Sequence, residues 1–209
     1  MIKQASLSAL RFAIVTVLGC AALTQNGAAQ WGVGIELQRV VFGGSSFDTT
    51  GTGNGTSVRP GDAPTYGIRF DRRFGRWRAG LLVRYAQAAL VAQNQYISLA
   101  ERGDFALLEL APELSYRFAA THTGATAHLY LGPVVGVWSL IDADSRLAPG
   151  IRGGVGGEFP VSGRLGVWLR AGGGLTRSVF VDRDLPPELA RRATRRSEIA
   201  FGLRYGGGR

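Results

Sequence analysis

The chain is poor in the residues that most often cross-link or carry chemistry. Among 209 residues there is one cysteine, Cys20, there are two histidines, His122 and His128, and the single lysine is Lys3. One cysteine excludes an internal disulfide. Two histidines with no third ligand near either in sequence make a metal site a poor expectation, and no cofactor motif is present. Long hydrophobic runs are missing as well. The longest, Phe12 to Leu23, has 12 residues, short of the roughly 20 that a membrane-spanning helix needs. That run belongs to a different device. Lys3 and Arg11 supply a positive start, the run itself an apolar middle, and Gly27-Ala28-Ala29 a small-residue cleavage site before Gln30. This is the pattern of a secretory signal peptide, residues 1–29, ahead of a mature domain, residues 30–209.

Cys20 sits inside that signal. Val-Leu-Gly-Cys (17–20) resembles a bacterial lipoprotein box, which would leave a lipidated Cys20 at the mature N-terminus. The plainer reading discards it with the signal peptide. Removing Lys3 and Arg11 takes the formal charge from +9 to +7, and every remaining basic residue is arginine. A basic exported protein meets anionic lipid more readily than nucleic acid.

What the mature chain has in quantity is alternation. In LELAPELSYRF (108–118) the residues Leu108, Leu110, Pro112, Leu114, Tyr116 and Phe118 alternate with Glu109, Ala111, Glu113, Ser115 and Arg117. Strands send successive side chains to opposite faces, so this stretch predicts a strand with one apolar and one polar face. Eight such segments follow one another: 31–42, 64–74, 77–87, 104–118, 127–140, 149–159, 164–177 and 196–205. Their connections alternate between long and short. Residues 43–63, 88–103 and 178–195 are long and polar; 74–77, 119–126 and 160–163 are short. Short turns on one rim and long loops on the other describe an up-and-down antiparallel barrel.

In a soluble barrel the apolar rows would fill the centre, as in a lipocalin-like carrier. Three features turn them outward instead. Trp31, Phe74, Trp77, Phe118, Phe159 and Tyr205 gather beside the short turns, as an aromatic girdle at a membrane interface would. Strands of about ten residues match the hydrocarbon thickness at the usual tilt. The polar rows are rich in glycine, arginine and glutamate rather than the lysine, threonine and serine of a water-facing sheet. The chain resembles the small eight-stranded outer-membrane β-barrel families, the OmpA/OmpX-like and porin-family barrels of Gram-negative bacteria. LELAPELSYRF, LYLGPVVGVW (129–138), LRAGGGLT (169–176) and the closing IAFGLRY (199–205) carry the likeness. The resemblance implies an all-β transmembrane barrel, outer-membrane lipid and lipopolysaccharide as surroundings, long loops outside the cell, a monomer, and an insertion machinery that reads the aromatic of the last strand. Here Gly206-Gly207-Gly208-Arg209 follows Tyr205, a departure from that ending.

The polar rows place Glu36, Arg69, Asp71, Arg73, Arg78, Arg84, Glu109, Glu113, Arg117, Arg152, Glu158, Arg170, Glu198 and Arg204 inside. An eight-stranded barrel has just enough room for its own side chains, so these charges are expected to pair into a plug; a narrow ion path is the alternative. Acid–base catalysis by Glu109 and Glu113, four residues apart, is a weak reading, as is a lipid-modifying enzyme built on a histidine with Ser115 or Ser139. Gly172-Gly173-Gly174 lacks the Lys-Ser/Thr of a phosphate loop and suits a strand bend. The last long loop reads most plainly as a solvated, charged segment; alternatively, Pro187 followed by ELARRATRR could open a short helix carrying Arg191, Arg192, Arg195 and Arg196 toward lipopolysaccharide phosphates. The expected protein is thus a non-enzymatic barrel that supports the envelope or presents loops to a partner, with a small passive pore as runner-up.

Overall fold

A computed structural model describes residues 30–44, 46–48, 57–93, 98–140, 145–180, 185 and 189–206. Residues 1–29, the expected signal peptide with Cys20, as well as Pro187 and residues 207–209, lie outside them. Eleven strands follow in chain order: β1 (Gln30–Gly43), β2 (Ser46–Asp48), β3 (Ser57–Pro60), β4 (Ala63–Phe74), β5 (Trp77–Gln93), β6 (Ser98–Ala120), β7 (Thr126–Leu140), β8 (Arg146–Pro160), β9 (Leu165–Thr176), β10 (Leu189–Arg191) and β11 (Thr194–Gly206). Eight of them close a barrel. β4, β5, β6, β7 and β8 each pair antiparallel with the next, β9 pairs with β11, and β1 lies between β11 and β4. No helix among the described residues is long and apolar enough to cross a membrane, which has no bearing on a protein that crosses with strands.

Alternation dictates the two surfaces. On β1, Trp31, Val33, Ile35, Leu37 and Val41 are exposed, while Glu36, Gln38, Val40 and Phe42 are buried. β11 repeats this, with Ile199, Phe201, Leu203 and Tyr205 outside and Glu198 and Arg204 inside. A soluble carrier would enclose the apolar row; this barrel turns it out. From Trp31 to Val41 the strand climbs about 34 Å at the usual rise, or about 25 Å along the normal once tilted, the height of the apolar band of a membrane barrel.

Closure at this small radius depends on glycine. A Cβ on Gly132 would lie 2.0 Å from the Pro112 carbonyl oxygen, and one on Gly150 would lie 2.1 Å from that of Leu175. These partners are backbone and have nowhere to retreat, so Gly150→Ala is expected to destabilise by about 1–3 kcal/mol, the usual cost of overpacking, read as a lower unfolding midpoint in detergent. At the turn between β4 and β5, Gly75 has a φ of 60° and occupies the first central position of a two-residue hairpin, where both of the favoured turn types need a positive φ.

The structure differs from the expected pattern in the loops. The polar segment 88–103 is largely strand: β5 runs on to Gln93 and β6 begins at Ser98. Past a bulge between Ala88 and Leu90, β5 pairs with β6 from Leu90↔Glu101 to Gln93↔Ser98 and with β3 from Pro60↔Leu90 to Ser57↔Gln93, so both edges of the extended β5 find hydrogen-bond partners. The alternative helix after Pro187 is a strand as well. β10 pairs with β2 from Leu189↔Asp48 to Arg191↔Ser46, and β11 has already begun at Thr194.

Candidate functional site

The lumen is layered. At mid-height Glu113 is the hub: Oε1 accepts from Arg69 Nη1 at 2.7 Å and from Ser115 Oγ at 3.0 Å, and Oε2 accepts from Arg170 Nη2 at 2.6 Å. Arg69 also reaches Glu36 at 3.4 Å. Nearer the long loops, Glu198 gathers Arg84 at 3.0 Å, Arg152 at 2.5 Å and the Tyr130 hydroxyl at 3.1 Å, while Glu109 bridges Arg84 and Arg196. All of these charged groups are buried, so each guanidinium needs a partner at low dielectric. Five arginines face four carboxylates here, and aromatic rings offset the surplus. Arg170 lies 3.5 Å from the centre of the Tyr130 ring and Arg69 lies 4.3 Å from that of Trp168, where the negative face of the ring attracts a cation.

Toward the short turns the balance changes. Arg204 grips Asp71 through Nε and Nη2 at 2.7–3.2 Å. Glu158 is shared by Arg78, by Arg73 at 3.5 Å and by Arg204 at 3.5 Å. Arg117 forms no ion pair among the described residues. These groups open into a mouth of about 290 Å³ that Arg164 also lines. Arg164 donates to the Tyr205 hydroxyl at 3.3 Å, a contact that raises its pKa from the ordinary value.

The loop end is closed by apolar residues. Val40, Phe42, Ala63, Ala86, Ala88, Leu107, Trp138 and Ala148 point inward and pack with Val179, Phe180 and Leu185 of the last long loop. Phe42 meets Trp138 edge-on at 5.6 Å. That loop is tied down by Arg146 Nη1, which donates to the Val179 carbonyl at 2.9 Å.

Of the residues expected on the polar rows, Glu36, Arg69, Asp71, Arg84, Glu109, Glu113, Arg152, Arg170, Glu198 and Arg204 are buried, whereas Arg73, Arg78, Arg117 and Glu158 are half-buried toward the short turns, Arg117 outside the ion-pair network of the described residues. Trp31, Trp77, Phe118, Phe159 and Tyr205 are exposed on the outer face beside the short turns, with Phe74 half-buried among them; Trp77 and Tyr116 pack at 4.8 Å. The expected arginine cluster divides. Arg191, Arg192 and Arg195 are exposed, but Arg196 is a correction: it is buried and paired with Glu109. Its parity with Glu198 and Arg204 on one strand sends it inward. Arg39 takes a place at the outer rim that the sequence reading did not assign, exposed on β1 and 3.9 Å from Asp62. Trp138 and Trp168 were also missed as interior residues, although Trp168 shares the parity of Arg170. Ser115 and His128 line one cavity of about 10 Å³, but the Ser115 hydroxyl donates to Glu113 rather than to the imidazole. His122 lies in an exposed turn. Among the described residues no group of three or more metal-ligating side chains converges.

No family model and no curated protein matches this chain. Among solved structures it is similar to Neisserial surface protein A, with 16% identity, a TM-score of 0.50, and coverage of 86% of this chain and 99% of that one. It is also similar to the outer membrane protein AlkL, determined in lipid bilayers, with 12% identity, a TM-score of 0.51, and coverage of 89% and 93%. Together with the closed eight-stranded ring and the apolar outer band, these neighbours identify the fold: the chain is built as a small eight-stranded outer-membrane β-barrel.

Proposed function

We propose that this barrel is a non-enzymatic, non-conducting outer-membrane protein that holds its long loops at the cell surface and contributes to envelope integrity. The observation that carries the reading is the double closure of the lumen, by the Glu113 and Glu198 networks and by the apolar cap above them. A pore spends its interior on water; this interior is spent on packing and ion pairs. Residues 1–29 serve as the signal peptide, the insertion machinery receives β11, the barrel works as a monomer, and the short turns face the periplasm. At the opposite rim the outward Arg39 and Arg195, with Arg191 and Arg192 in the last loop, suit contact with lipopolysaccharide phosphates, since guanidinium forks match phosphate geometry.

The test is electrical. Purified protein reconstituted in planar bilayers is expected to show no steady conductance above the bare membrane, with insertion verified by protection from protease. A stable, reproducible channel would overturn the reading in favour of the passive pore.

A further inference from the structure

The turn-side mouth carries a charge imbalance that the rest of the lumen does not leave open. Four guanidiniums, Arg73, Arg78, Arg117 and Arg204, meet two carboxylates, Asp71 and Glu158. Asp71 is saturated by the two-pronged grip of Arg204 and by Arg78 at 3.6 Å. Glu158 is divided among three arginines, and Arg117 is left with none. In the deeper layer the surplus cation rests on Tyr130 and Trp168; among the described residues no aromatic ring lies over any of the four mouth arginines. The mouth also has room. Its volume of about 290 Å³ far exceeds the one-probe space that a single water requires, and Arg73, Arg117, Arg164 and Arg204 line it from four different strands and turns.

We propose that this mouth is a binding site for a phosphate-bearing anion. Convergent guanidinium forks favour phosphate over chloride because each can present two parallel N–H donors to two oxygens. An anion would offset the surplus of guanidinium over carboxylate charge at this mouth, where Arg73, Arg117, Arg164 and Arg204 are lined up with Glu158 alone among the described carboxylates. The phosphate has two possible sources, a soluble phosphate or pyrophosphate compound on the turn side or the headgroup of an anionic phospholipid in that leaflet.

Thermal unfolding of the full mature protein in an uncharged maltoside detergent tests the site. At constant ionic strength, inorganic pyrophosphate is expected to raise the midpoint progressively with concentration, as a ligand of the folded state must, whereas chloride leaves it unchanged. Arg117→Gln removes an arginine without an ion partner, so this variant is expected to melt where the wild type does while losing most of the pyrophosphate shift. Arg117→Lys, which keeps charge without the fork, should recover part of it. Binding of pyrophosphate followed by phosphorus NMR line broadening gives the same comparison without unfolding the protein. A second arm adds phosphatidylglycerol or phosphatidylcholine to the micelles. Stabilisation by phosphatidylglycerol alone that depends on Arg117 assigns the site to a lipid headgroup; stabilisation by pyrophosphate assigns it to a soluble ligand. Equal responses to pyrophosphate and chloride with no phosphatidylglycerol effect, or a pyrophosphate shift undiminished in Arg117→Gln, would overturn the proposal.

Discussion

Replacing Glu113 by alanine should lower the stability of the barrel by about 3–5 kcal/mol, the usual result of removing one side of a buried ion pair. Glu113 accepts from Arg69, Arg170 and Ser115 at once. Its two arginines do not suffer equally. Arg69 retains Glu36 at 3.4 Å, whereas Arg170 keeps only the faces of Tyr130 and Trp168. The penalty therefore falls on Arg170, and the double variant Glu113→Ala/Arg170→Ala should regain part of the loss. Chemical unfolding of the four proteins of this cycle, in one detergent, measures the coupling. If the lumen were a hydrated path, the single substitution would cost roughly the 0–1 kcal/mol of an exposed pair, and its effect would appear in conductance instead. A loss that small would remove the plug.

An arginine at position 35 should be nearly as damaging, for the opposite reason. Ile35 is 59% exposed, and its strand neighbours across the ladder are Leu203 and Ile68. On the surface of a water-soluble protein such a change would fall within about 0.5 kcal/mol of neutral. In the middle of the apolar band, midway between Trp31 and Arg39, a guanidinium loses its hydration, and Ile35→Arg is expected to cost about 2–4 kcal/mol. The same substitution at Val41, on the same row but at the loop-side rim, should cost about 0–1 kcal/mol. Unfolding in phospholipid vesicles gives both values. Equal effects at the two positions would mean that the outer face does not sense membrane depth.

The strands were legible in the sequence because a barrel of this size repeats one simple rule. Side chains of one parity face lipid and those of the other face the lumen, and residues such as Ile35 and Glu36 state the rule locally. Arg196 obeys it too, but lay hidden in a segment whose density of arginine and proline reads as exposed loop. The apolar cap is harder to see. Glu36, Gln38, Val40 and Phe42 form one inward row that changes from polar to apolar along its length, a change readable on β1 alone. That Val179, Phe180 and Leu185 fold back to meet it depends on contacts between distant parts of the chain, which no local periodicity contains. Trp138 and Trp168 carry no charge to mark them as inward, yet one seals the cap and the other faces a cation.

The manner in which β11 completes the ring bears on how the barrel is made and how long it lasts. Glu198 reaches Arg84 across 114 residues of sequence and Arg204 reaches Asp71 across 133. Neither bond can form until β11 has docked against β1, from Gly32↔Gly206 to Gly43↔Arg195. Without β11, Arg152 lacks the carboxylate of Glu198 and Asp71 lacks the fork of Arg204, so the last seam to close is also the one that supplies partners to charges already buried in the other strands. Contacts of such long sequence separation form late and slow the approach to the native state. By the same logic, interactions absent from the transition state retard escape from it. The seam is thus expected to act as a kinetic lock, its reopening limiting how soon the assembled barrel comes apart.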